Sequence, residues 1–416
     1  MPGTPHAVTT AGATSEIESR YAWLRLGISV LIGTIGGVGM WSVVVALPAV
    51  QAEFGVARAD ASLPYTFATV GFALGGVLMG RLADRFGIVA PALCSAAALG
   101  LGYIAAGFAH NLWTFALAHG VLIGFLGTSA TFGPVMADVS QWFSRRRGLA
   151  VGLAASGNYL AGTVWPPVVQ HFVESAGWRA THIGIGIFCF VTMTPLALML
   201  RRRPVVQPFM SAEAFAAGGN ASGVSPNVLM ALLCAAGLAC CVAMAMPQVH
   251  IVAYCGDLGY GVARGAEMLA VMLGFGIISR VGSGFVADRI GGVGTLLIGS
   301  ALQGAALVLY LLFDGLASLY VISALFGLFQ GGIVPSYAII VREYFPPQEA
   351  GTRLGIVLMA TLFGMALGGW TSGLIFDLTG SYSAAFAHGI AWNLVNVSIA
   401  LWLIMRPGRG VVHATA

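Results

Sequence analysis

Twelve blocks of apolar residues, each about 18 to 26 long, leave this chain few ways to fold. A helix of that length crosses the hydrocarbon core of a bilayer. Only helices and closed barrels can cross it, because backbone polar groups find no water there. The apolar runs are continuous, so helices are predicted, near 24–48, 61–82, 88–109, 112–137, 148–170, 181–200, 228–252, 265–286, 293–313, 317–340, 353–376 and 384–405. Charged residues are 8% of the chain, against roughly 25% in soluble domains. So few charges cannot cover a water-facing surface. That excludes an ordinary soluble enzyme, a disordered chain and a nucleic-acid binder. The predicted fold class is all-α integral membrane, with twelve transmembrane helices. The 58 glycines suit closely packed membrane helices.

Polar stretches divide the chain. Residues 1–20 form a polar tail lacking the apolar core of a cleaved signal peptide. Two six-helix halves are predicted at 21–200 and 227–405, joined by a polar linker at 201–226 and followed by a tail at 406–416. All 19 basic residues are arginine. With the N-terminus in the cytoplasm, fifteen fall inside and only Arg58, Arg179 and Arg264 outside, leaving Arg280 in a span. This is the positive-inside bias, so both termini are expected in the cytoplasm. Arginine-only basic usage with abundant alanine and glycine suits a bacterial cytoplasmic membrane. A monomer is expected. The six cysteines lack metal-ligand spacing, and no metal or cofactor is expected.

The halves repeat at an offset of about 204. Gly80-Arg81-Leu82-Ala83-Asp84-Arg85-Phe86-Gly87 aligns with Gly284-Phe285-Val286-Ala287-Asp288-Arg289-Ile290-Gly291, with five of eight positions identical. Duplicated six-helix halves are the architecture of a rocking secondary transporter, with its substrate site near the midplane. In each block the aspartate can accept from a helix start, and the last glycine allows a tight turn. Asp84, Arg85, Asp288 and Arg289 are therefore expected to be conformational residues of an inner gate. Arg145 to Arg147 anchor the topology at the anionic leaflet, or pair at that gate with Asp138 or Glu343.

The repeated block resembles the signature loop of the major facilitator superfamily, and the resemblance covers residues 20–405. A narrower one follows. The run from Trp142-Phe143-Ser144-Arg145 to Ala155-Ser156-Gly157, with Gly162 beyond, is similar to the fifth-helix signature of monocarboxylate transporters and oxalate:formate-type relatives. Pro247-Gln248-Val249-His250 with Asp257-Leu258-Gly259-Tyr260 resembles the end of their seventh helix. Arg280 with Gly284, Ala287 and Asp288 resembles their eighth, whose arginine binds the substrate carboxylate. There are departures. The acid expected one turn before that arginine in animal members is Gly276 here, and no acid opens the first-helix region Gly36 to Trp41. With no lysine anywhere, a doubly charged substrate loses support, and the animal proton-coupling scheme does not carry over.

Arg280 is the leading site residue on physical grounds as well. A guanidinium inside a span costs about 2.5 to 3.5 kcal/mol on insertion scales, so it faces a partner or a watery cavity. The nearest acids on its helix, Glu267 and Asp288, lie near opposite ends. A cation without a resident anion points to an anionic cargo held by two parallel hydrogen bonds. The alternative is that Arg280 snorkels to the loops around Asp288 or Asp84. Further candidates are His119, Asn158, Tyr159, Tyr337 and Trp41, each of which could equally be packing or helix-to-helix bonding. Gln330 reads as polar glue, and His250 as a gate residue. The resulting expectation is a secondary transporter of organic anions, most favourably small monocarboxylates, coupled to protons, where His119, Asp138, Glu267 or the cargo carries the proton. The alternatives are an exporter of lipophilic compounds and a non-transporting membrane sensor.

Overall fold

The computed structural model describes residues 18–143, 146–202, 225–345 and 347–405. Arg145, most of the 201–226 linker and both tails, apart from Glu18 to Arg20, lie outside them. The described residues form helices and connecting turns, with no strand among them. Among the described residues, ten helical stretches are long and apolar enough to cross a membrane. Two of these, Leu149–Met199 and Val262–Leu312, have 51 residues each and fold back at a glycine. Gly177 (φ 80°) and Gly291 (φ 77°) adopt backbone angles that side-chain-bearing residues avoid. Each stretch is therefore two spans, which gives twelve. Span one is Arg20–Phe54, two Arg58–Phe86, three Val89–Gly107 and four Leu112–Trp142. Spans five and six meet at Gly177, seven is Pro226–Asp257, and eight and nine meet at Gly291. Ten is Leu316–Val341, eleven Gly351–Thr379 and twelve Tyr382–Met405.

Several helices begin at side chains that satisfy free backbone N–H groups. Ser19 accepts from Ala22, Asn111 from Thr114, and Ser225 from Val228 ahead of Pro226. Two spans are less regular than their apolar patterns predict. Span one is interrupted at Gly37, which lies against Ala161 of span five. Span four passes from α-helix to a π-helix over Ala118–Gly127 and a 3-10 turn over Thr128–Thr131. Helix ends also run beyond the apolar blocks. Span five continues past Trp165-Pro166-Pro167 to Gly177, where the Trp178 indole donates to Glu53 and Arg179 pairs with that carboxylate at 2.7 Å.

The core crosses between the two bundles. Trp41, Tyr65 and Tyr159 of the first half pack in one cluster with Met244, Leu269 and Leu273 of the second. Within the second half, glycines let two helices approach closely. A Cβ at Gly327 would stand 1.8 Å from the Met272 carbonyl oxygen, and one at Gly331 2.4 Å from that of Gly276. Spans eight and ten therefore touch backbone to backbone.

Candidate functional site

Arg280 lies in this seam, half-buried, where span eight meets span five. Its Nη1 donates to the Ala155 carbonyl at 3.2 Å, and its Cζ sits 3.9 Å from the centre of the Tyr159 ring. Nε is buried with no partner. Among the described residues no acid pairs with this guanidinium. Of the other candidates, Tyr159 touches it, and Trp41 and Asn158 lie next to Tyr159. Trp41 of span one donates its indole N–H to the carbonyl of Asn158 at 3.2 Å. Asn158 precedes Tyr159, and its amide oxygen would lie 3.3 Å from a Cβ at Gly37. Gly162 closes the group, because a Cβ there would meet Leu273 at 2.2 Å and the Trp41 ring at 2.9 Å. Spans one, five and eight thus bring Trp41, Asn158, Tyr159 and Arg280 together.

The remaining candidates lie elsewhere. His119 is fully buried at the start of the π-helix, its Nδ1 2.9 Å from the Phe115 carbonyl. Its ring packs with Phe115, Tyr103 and His182 inside the first bundle. Tyr337 donates to Asn396 at 3.2 Å within the second bundle. Gln330 accepts from Gln248 at 2.8 Å, joining spans ten and seven as polar glue. Asp138 takes two 2.7 Å bonds from Nε and Nη2 of Arg25, buried within one half, while Arg145, its expected gate partner, lies outside the described residues. Arg25 had counted only toward topology, because its partner lies 113 residues away. Asp84, Arg85, Asp288 and Arg289 are exposed. Glu343 accepts from the Gly292 amide at 3.0 Å, bracing the turn at Gly291.

A second set of residues escaped the sequence reading. At the face opposite the Asp84 and Asp288 turns, the two halves are latched. Arg58, at the start of span two, pairs with Asp257 of span seven at 3.1 Å and donates to the Tyr382 hydroxyl at 2.6 Å. Asp377 of span eleven accepts the backbone N–H groups of Arg58 and Ala59 at 2.8 and 2.7 Å. A carboxylate of one half thereby caps a helix of the other. Deeper in the same seam, Thr66 donates to the Ala366 carbonyl at 3.3 Å. Within the second half, His250 contacts the Gly369 carbonyl. The only sequence signal was the matched stretch at Asp257. Arg58 read as one outside arginine among three.

Two related six-helix bundles, closed upon each other at one face, define a membrane transporter. The family model described as Major Facilitator Superfamily matches residues 30–318 and 268–415, and the chain belongs to that superfamily. It is 28% identical over 353 residues to Monocarboxylate transporter 13 of Rattus norvegicus, covering 82% of this chain and 78% of that protein. It is 26% identical over 305 residues to the aspyridones efflux protein apdF of Emericella nidulans, covering 71% and 60%. The crystal structure of the nucleoside transporter NupG superposes with a TM-score of 0.69 at 14% identity, covering 92% and 99%.

Proposed function

We propose that this transporter carries small organic anions, most favourably monocarboxylates, across the cytoplasmic membrane by alternating access, together with protons. The observation that carries the reading is Arg280: a cation between the bundles with a buried, unpartnered Nε and no acid beside it among the described residues. The Nε and Nη2 of one guanidinium form a fork matched to a carboxylate. Arg25 uses that same fork on Asp138. One cation with one open fork suits a single negative charge, and the similarity to Monocarboxylate transporter 13 supports the same class.

With both termini cytoplasmic, the Arg58 latch is on the outer side and the conformer is inward-facing. The cargo then leaves Arg280 through the face that carries the exposed Asp84 and Asp288 turns. Three of the proton carriers considered are engaged elsewhere. His119 is packed among rings, Asp138 is held by Arg25, and Glu267 is bound by Arg264 and Tyr320. The carboxyl group of the cargo remains. Export of a lipophilic compound is the second reading, favoured by the likeness to apdF and by the apolar seam around Arg280.

Uptake of labelled pyruvate, lactate and benzoate into proteoliposomes tests the proposal. Arg280→Ala is expected to abolish uptake while membrane insertion is kept. Arg280→Lys keeps the charge but loses the fork, and should weaken uptake about 10- to 100-fold. Normal uptake by Arg280→Ala would remove the carboxylate reading.

A further inference from the structure

Gly276 lies one helical turn before Arg280 on span eight, and the space left by its missing side chain is filled from the other half. A Cβ built there would stand 2.3 Å from Cε1 and 2.6 Å from Cδ1 of Tyr159. No Cβ tolerates such contacts, so any side chain at 276 must displace the ring. The same ring lies against the Arg280 guanidinium, its centre 3.9 Å from Cζ. One turn earlier on span five, the Ala155 carbonyl takes Nη1. Span five thus holds the cation at two points, one face and one edge. The edge with no hydrogen-bond partner among the described residues is Nε with Nη2.

We propose that Tyr159, admitted by the glycine at 276, is the positioning residue of the transport site. It fixes the guanidinium across the seam with its Nε/Nη2 fork toward the cargo. Two physical arguments support this. A cation over an aromatic face is attracted by the ring quadrupole, and more strongly when both are desolvated. Tyr159 is only 5% exposed. Without the ring, a long flexible arginine is free to snorkel along span eight toward Asp288, two turns away. The carboxylate would then meet a cation of undefined direction. Gly276 is therefore a specificity determinant that touches no substrate. The inference rests on Arg280 being the carboxylate site.

The test measures pyruvate and benzoate uptake in proteoliposomes of the full chain, with a melting curve for each variant to verify folding. Tyr159→Leu and Gly276→Ala are each expected to raise KM about tenfold, with maximal rate changed less than about twofold. Tyr159→Phe keeps the ring, and its KM should rise less than about threefold. In the Tyr159→Leu background, Gly276→Ala should add nothing, because the ring it displaces is gone. That dependence separates positioning from a general packing defect. An unchanged KM in Tyr159→Leu, or an equal Gly276→Ala penalty in both backgrounds, overturns the inference. If Arg280→Ala transports normally, the carboxylate reading fails instead, so the two failures are distinct.

Discussion

At the scale of single residues, two arginines inside spans mark the difference between a structural cation and an available one. Arg25 spends every edge of its guanidinium. Nε and Nη2 hold Asp138, Nη1 reaches the Tyr21 hydroxyl and the Leu200 and Arg202 carbonyls, and Cζ lies 4.7 Å from the Trp142 ring. Arg280 makes one hydrogen bond and one ring contact. Removing one partner of a buried pair strands the other charge and costs roughly 3–5 kcal/mol. Asp138→Leu is therefore expected to lower the melting temperature in detergent sharply, and Arg25→Met combined with it should recover part of the loss. Arg280→Met removes a half-buried cation with no counter-charge among the described residues, so its melting temperature should hold or rise. A large drop in Arg280→Met would mean that the cation serves the fold. The sequence distinguished these arginines only in part. It placed Arg280 in mid-span without an acid on its own helix. It could not pair Arg25 with Asp138, because apolar patterning within one span says nothing about which helix lies alongside.

At the scale of elements, the span count and the repeat were legible because both are one-dimensional signals: block length, and a Gly-Asp-Arg-Gly pattern that recurs. The turn at Gly291 follows from its glycine, but its brace from span ten does not. Glu343 accepts from Gly292 there, just beyond the apolar stretch. Desolvation raises its pKa above the ordinary 4.5, and the Gly292 N–H offsets only part of this. The folded chain thus holds this proton more tightly than the unfolded chain. The resulting stability is fully present below 4.5 and is lost as pH rises through the raised value. Glu343→Gln removes that titration while keeping an acceptor for Gly292. Its melting temperature should vary less than the wild type's from about pH 4.5 upward. A variant with the same pH profile as the wild type would exclude the role. The π-helix in span four was illegible for a different reason: π and α turns bury the same apolar composition. That local geometry, together with the rings of spans three and six, puts His119 inside the first bundle and away from Arg280.

At the scale of the molecule, the conformation is decided by where the halves touch. They are fastened where Arg58 meets Asp257, Asp377 and Tyr382, and the paired Asp84 and Asp288 turns are exposed at the other face. None of these latch contacts could be read from one helix, because each joins residues about 200 to 320 positions apart. Their strength can be bounded. Asp257 is 39% exposed on its side chain, so water screens its pair with Arg58 to about 1 kcal/mol or less. The Tyr382 hydroxyl and the Phe376 face, 4.9 Å from Cζ, add a contribution of similar size. Loss of the Arg58 side chain should thus cost the closed state about 2 kcal/mol, or roughly 30-fold in population. The Asp377 cap on the backbone survives that change, so Arg58→Ala should loosen the latch without abolishing closure. A Thr66→Cys reporter in the same seam measures this in proteoliposomes. With a membrane-impermeant maleimide added on the Arg58 side, labelling should be faster in Arg58→Ala than in the reporter alone. Asp377→Ala removes the cap and should accelerate it further. Equal rates in all three would show that the seam is held by the apolar packing of Tyr65, Val249 and Gly369 rather than by these charges.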